Sequence, residues 1–471
     1  MGRPNAGADP DDLAARALDA VDVERLVSTA RELIDTPSPT GGELACAELL
    51  GRRLRALGVA AEVDAFGEGR ANIVGTIGTG TGPYLLLSGH LDTTGYGDER
   101  DWPWLDEHGP GDRPVSHLAD GIVSGLGAYN MKGGLAAAVE ALAALRSVAA
   151  DLPGRVGFAA VAGESEKAPV RGLARIHDGP DVEGGGIGTR HLLERGERPD
   201  AVVICEPSGL AVVNAQPGYL MLRVVVRGKA GYLPDPRAPT VISAATAVVE
   251  AIRQWAIVYA ERGSLETGLG VLRPPCTVGA IEGGWPFKPG GPPAAAAIYV
   301  DLRVPPQLDG DADVVELARI ADRAAAAAGP FQVQTTTFAD HRPGALIPAG
   351  HPLVVEARAA VAHARGRGAL APEPLAGDFP PGDDGKLFAA SGVPYVKLGP
   401  GTFADRDPRF GREQVRVDQL RDAARAYVVL AVRIAAMDPA EVASWPAPLT
   451  RPDDVRAIAA GQAAGRRPPG R

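Results

Sequence analysis

Apolar residues recur at helical spacing over residues 12–34 and again over 43–57, separated by the punctuation PSPTGG, so the pattern predicts two helices at the start of the chain. A strand over 72–77 then leads to the apolar run 84–88, which breaks off into Gly-His-Leu-Asp. After a loop rich in Gly, Asp and Pro, residues 131–149 read as an Ala/Leu-rich helix, followed by strands at 156–162 and 201–205. Strands alternating with helices predict a largely parallel α/β sheet, in which ligands gather at the carboxyl ends of the strands. The clusters GHLD, GES and CEPS each follow one of these strands, so three separate pieces of chain are expected to converge on one crevice.

The period then changes. Residues 220–227 alternate like a strand, 240–260 read as a helix, 294–304 as a strand and 314–328 as a helix, which together predict an inserted α+β unit. The α/β pattern resumes near His351 with a helix, a strand at 395–398 and a last helix at 417–436. The expected division is a discontinuous first domain over 1–215 and 339–445, an insert over 216–338, and a disordered tail over 446–471 that ends in the locally basic GRRPPGR.

A chain of 471 residues with 45% hydrophobic and 23% charged positions is long enough for two or three packed units. No run approaches the roughly 18 apolar residues of a membrane span, and a net charge of −10 argues against a nucleic-acid or anionic-membrane partner. The first residues lack a basic stretch followed by an apolar run, and Cys46, Cys205 and Cys276 are too scattered for a disulfide framework, so the cytoplasm is the expected location. Gly133 and Gly134 read as packing and helix entry, since no nucleotide motif of the usual spacing is present.

His90 and Asp92 stand two apart at a strand end and so share a face, where a carboxylate can orient an imidazole that binds metal. A structural His–Asp hydrogen bond has the same spacing. The series PSPTGGE, SGHLDTT, DGIVSGLGAYNMKGG, VAGES, CEPSGL, DLRVPP and LGPG says more. In order and spacing it resembles the zinc metallopeptidase and amidohydrolase family of acetylornithine deacetylase, succinyl-diaminopimelate desuccinylase, aminoacylase and glutamate carboxypeptidase, over roughly residues 30 to 435.

The resemblance implies a zinc-peptidase-like α/β catalytic domain with an inserted lid that also dimerises, and two zinc ions about 3.5–4 Å apart. Carried over residue by residue, it makes His90 the histidine of the first zinc, Asp92 its orienter, Glu206 its carboxylate and Glu164 the general base. Other positions depart from the family. The bridging Asp is Asn130, the carboxylate after the base is Ser165 with Glu166 one place further on, and the last zinc histidine is Arg409. In the lid, Gly231 stands at the oxyanion histidine and Ser243 at a substrate-facing asparagine. Asp383 and Asp384 match a loop near the substrate, with a solvated turn as the alternative.

These departures empty the second metal site and leave His90, Glu206 and a weak Asn130 for one zinc or cobalt ion, or for none. Glu164 would then titrate upward in an apolar cleft, unless it pairs with Lys167 or Arg171 on a surface turn. Arg409 would grip a substrate carboxylate or phosphate. The expected function is amide-bond hydrolysis of a small N-acyl amino acid or peptide-like substrate by a homodimer. The alternatives are metal-independent acyl or amide chemistry and non-catalytic binding of a small molecule.

Overall fold

The structure is a computed structural model whose described residues are 9–78, 80–101, 110–170, 182–232, 235, 237–284, 289–366, 382–401 and 413–465; all elements and counts are of these residues. The predicted opening helix is two, Pro10–Asp19 and Val23–Ile34, followed by Leu44–Ala56. The break has a local cause: the Asp22 carboxylate accepts from the Glu24 and Arg25 amides and starts a new helix.

Among the described residues, six strands form the main sheet in the order Ala60–Gly67, Arg70–Ile77, Arg155–Val161, Tyr84–His90, Ala201–Ile204 and Tyr395–Lys397. The last four run parallel, as the pattern of strands and helices predicts. The first two are antiparallel, and the outer one escaped the sequence reading because its side chains are exposed or only partly buried and give no apolar run. Helices Gly133–Leu145 and Val417–Ala435 cover the sheet with Tyr84, Leu86, Phe158 and Val203 in one core. Gly134 is required there, because a Cβ would stand 1.9 Å from the Cys205 carbonyl oxygen, so its role is close packing.

Between the fifth and sixth strands the chain builds the predicted inserted α+β unit. Its antiparallel sheet runs Cys276–Gly283, Ala295–Val304, Gly218–Arg227 and Gln332–His341, and helices Val241–Arg262 and Asp311–Ala328 pack on it. Leu220, Leu222, Val224 and Val226 alternate into a core separate from that of the main sheet. The Val241–Arg262 helix is, by length and composition, long and apolar enough to cross a membrane, yet its Val241, Ala244, Ala245, Val248 and Ile252 belong to this core.

The tail departs from its expected disorder. Pro452–Gly465 is a helix, and its Val455 is fully buried with Ala215, Leu265, Leu272 and Leu346 in a third apolar cluster that Leu449 closes. A sequence poor in large apolar residues hid this, because the docking is made by few apolar side chains, Val455, Leu449 and Ala459, with Arg456 donating to the Gln307 carbonyl. Val455→Ala should lower stability by about 1–2 kcal/mol, at ~0.8 kcal/mol for each buried carbon group lost, read as a lower urea midpoint. An unchanged midpoint would show that the tail is not docked.

Candidate active site

The carboxyl ends of the four parallel strands carry the chemistry. His90 ends its strand, Glu164 and Glu206 follow theirs by a few residues, Lys397 ends the edge strand, and Asp383 and Asp384 precede the Gly385–Ala390 helix. All six are buried. His90, Glu164 and Glu206 offer ligating atoms that lie within 4.8 Å of one another.

Asp92 organises the first two. Its backbone oxygen lies 2.9 Å from His90 Nδ1 and its Oδ1 3.5 Å away, so Nε2 faces Glu164 Oε2 and Glu206 Oε1, each at 3.9 Å. The same carboxylate accepts from the backbone amides of Glu164 and Ser165, both at 3.0 Å, and from Thr40 Oγ1 at 3.0 Å. Burial alone would raise the Asp92 carboxyl, but His90 and these hydrogen bonds outweigh it and hold it below the ordinary value. Burial pushes Glu164 well above the usual carboxylate range, reinforced by the carboxylates of Glu206 and Asp384. This rules out the surface-turn reading of Glu164 with Lys167, whose Nζ donates instead to the Thr94 carbonyl. Arg171 lies outside the described residues.

Asn130 sits in the irregular turn Ala128–Lys132, with its Oδ1 3.2 Å from His90 Nε2 and its backbone amide donating to Glu413 at 3.1 Å. Glu166, the alternative to Ser165, points to another partner. It forms a bidentate ion pair with Arg303 of the inserted sheet, which Asp301 shares at 2.7 Å. Asp384 is buried rather than in a solvated turn: Thr189 Oγ1 donates to its Oδ2 at 2.6 Å, and its Oδ1 has no hydrogen-bond partner among the described residues. Ser243 is exposed and spends its hydroxyl on the capping box of the Val241–Arg262 helix, while Gly231 is exposed with its amide donating to the Pro292 carbonyl. Arg409 lies outside the described residues.

Three participants escaped the sequence reading. Lys397 Nζ stands 2.8 Å from Glu206 Oε2 and 3.1 Å from Asp383 Oδ2. Its signal was a lone charge in the apolar run PYVKLGPG, a position that burial permits only with partners. Arg303 was legible only as part of DLRVPP. His341 closes the inserted sheet, stacked on Tyr219 with ring centroids 4.6 Å apart and accepting from Arg190 at 2.8 Å on Nδ1.

Burial, with the Arg190 and Lys386 cations, lowers His341 from 6.5 to about 4, against the opposing pull of Glu166 and Asp340. The folded ring therefore stays neutral where the unfolded one takes a proton, so its contribution to stability is complete above about 6.5 and is lost as pH falls through 4. Relative to His341→Gln, the wild-type protein should lose stability across that window in urea melts. A difference that stays constant from pH 7 to pH 4 would remove the assignment.

Residues 86–433 match the family described as peptidase family M20/M25/M40. Succinyl-diaminopimelate desuccinylase of Rhodopseudomonas palustris (strain BisA53) is 30% identical over 221 residues, 45% of this chain and 52% of that protein, so the match spans about half the length of this curated relative. Human carnosine dipeptidase 1 superposes with a TM-score of 0.68 at 15% identity, over 90% of this chain and 99% of its own. A Bacillus subtilis dinuclear metal-binding peptidase of the M20 family gives 0.57 at 17% identity, over 88% and 98%. At these identities the two structures establish the shared fold.

Proposed function

This chain belongs to peptidase family M20/M25/M40, and we propose that it is an amide-bond hydrolase, of deacylase or carboxypeptidase type, whose site holds at most one divalent ion. The substrate class is a small N-acyl amino acid or peptide-like molecule. The observation that carries this reading is the buried group His90, Glu164 and Glu206, with Nε2 of His90 turned into it by Asp92.

The donors among the described residues support the one-ion reading. For one, His90 Nε2 and Glu206 Oε1 face each other across 3.9 Å with Asn130 Oδ1 beside them. For a second, the described residues at the expected positions offer a neutral amide at Asn130, a hydroxyl at Ser165, and at Glu166 a carboxylate already engaged by Arg303, while the nearby Glu413 carboxylate accepts from the Asn130 backbone amide. A neutral amide brings no charge to offset the repulsion between two dications. When bound, the single ion would supply Lewis-acid polarisation of the scissile carbonyl.

The chain's own residues do the rest. Glu164 takes a proton from the attacking water as its oxygen bonds to the carbonyl carbon, and returns that proton to the nitrogen as the C–N bond breaks. Burial and the neighbouring carboxylates raise the Glu164 carboxyl, which makes it a stronger base toward the water's proton than an exposed glutamate. Asp92 positions Glu164 through its backbone amide and His90 through its ring. We assign Asp384 and Arg409 to substrate binding, the latter for a carboxylate or phosphate, while the exposed Gly231 and Ser243 would reach substrate only if a partner subunit brings their surface to a site.

A second reading, metal-independent acyl or amide chemistry in the same pocket, is favoured by Lys397, which already gives Glu206 a cation at 2.8 Å. We further propose a homodimer through the inserted unit, whose Val241–Arg262 helix exposes Ile242, Ile257 and Val258. The division into 1–215, 216–338 and 339–445 remains our assignment, supported by the separate apolar cores of the two sheets. A cytoplasmic location is supported by three free cysteines, of which Cys46 and Cys205 are buried.

On a panel of N-acyl amino acids and dipeptides, the zinc-loaded protein should turn over at least one member, and Glu164→Gln should lower kcat by about 10²–10⁴-fold with binding little changed. Absence of turnover, or turnover indifferent to that substitution, would sink the hydrolase reading. Sedimentation at micromolar concentration should give the mass of two chains, and a monomer there would remove the proposed assembly.

A further inference from the structure

A lysine at 1% exposure is the least expected residue of this site. Lys397 ends a strand whose parallel register sets it level with Ile204, two residues before Glu206, so the two side chains meet at the same end of the sheet. The backbone is pinned on its other side by reciprocal hydrogen bonds with Val213, at 2.9 and 3.0 Å. Beyond the ammonium, Asp383 is itself fixed, its Oδ1 accepting from Gln216 Nε2 at 2.6 Å and from the Gly385 amide at 2.7 Å. Lys397 is therefore clamped between two buried carboxylates, Glu206 and Asp383.

The two oxygens of Glu206 consequently face different groups. Oε2 is held by Lys397 at 2.8 Å, and Oε1 is turned to His90 Nε2 at 3.9 Å. A divalent ion between His90 and Glu206, at ligand distances of about 2 Å, would have one carboxylate oxygen available to it and would lie within about 6 Å of a fixed positive charge. Repulsion at that separation, between groups buried as His90, Glu206 and Lys397 are, is much less screened than at a surface.

We propose that Lys397 is a positioning residue, a built-in cation that restricts Glu206 to one-oxygen coordination and thereby keeps the pocket to a single, weakly held divalent ion. This rests on the one-ion reading of the site and adds the residue that sets the strength of binding. The cation is supplied by the fold, so the pocket keeps Glu206 compensated whether or not an ion is present.

Zinc binding by chelator competition, with elemental analysis of ions per chain and circular dichroism to verify folding, tests this on the full-length protein. Lys397→Met should bind zinc at least tenfold more tightly than wild type, and Lys397→Arg, which retains the charge, should stay near wild type. The double variant Lys397→Met/Asp383→Asn removes one charge of each sign, and should also bind at least tenfold more tightly. It carries the test if the single variant does not fold. Equal dissociation constants in wild type, Lys397→Met and the double variant would overturn the role of Lys397, as would an Arg variant that tightens as much as the Met variant. Two ions of similar affinity in the wild-type protein would instead overturn the one-ion reading, so the two failures are distinguishable.

Discussion

Buried charge must be balanced locally, and that requirement shapes everything at the carboxyl ends of the parallel strands. Asp92, Glu164, Glu206, Asp383 and Asp384 are all buried there. Taking a carboxylate out of water is tolerated only with a partner, hydrogen bonds or a proton. The structure uses each device in a different place: backbone amides and His90 at Asp92, Lys397 between Glu206 and Asp383, Thr189 at Asp384, and a raised titration at Glu164. The pocket is thus organised by its own cations and donors.

The same balance bears on the positions next to Asp92. With a neutral amide at Asn130 and a hydroxyl at Ser165, less negative charge needs neutralising on that side, and Ser165 is held by its backbone amide to Asp92. Glu166 has a different partner. Its ion pair with Arg303 ties the loop that carries Glu164 to the inserted sheet. The inserted unit is therefore joined to the Glu164 loop through a charged contact, with Tyr219 and His341 packed beside it.

Membership of the M20/M25/M40 family and the α/β fold with its insert rest on features that tolerate such changes. The parallel strands, the close approach of Gly134 to Cys205, and the separate core under the Val241–Arg262 and Asp311–Ala328 helices do not depend on which groups line the crevice. Scaffold and chemistry are separable because the site residues lie on strand ends and the turns after them, outside the packed layers.

The sequence by itself determined the alternation of strands and helices, the insert, and the meeting of GHLD, GES and CEPS at one crevice, because hydrophobic period and strand direction are local properties. Motif order also singled out His90, Asp92, Glu164 and Glu206, which the fold brings together. The sequence could not assign Glu166 to Arg303 across 137 positions, or Lys397 to Glu206 and Asp383, because pairing of buried charges depends on which chain segments the fold brings side by side. Nor could it show that Ser243 serves a helix cap or that Val455 docks the tail, since each depends on contacts that composition does not encode. Tertiary structure decided the electrostatics of the site, because burial and proximity, which set the charge of an ionisable group, come into existence only when the chain is folded.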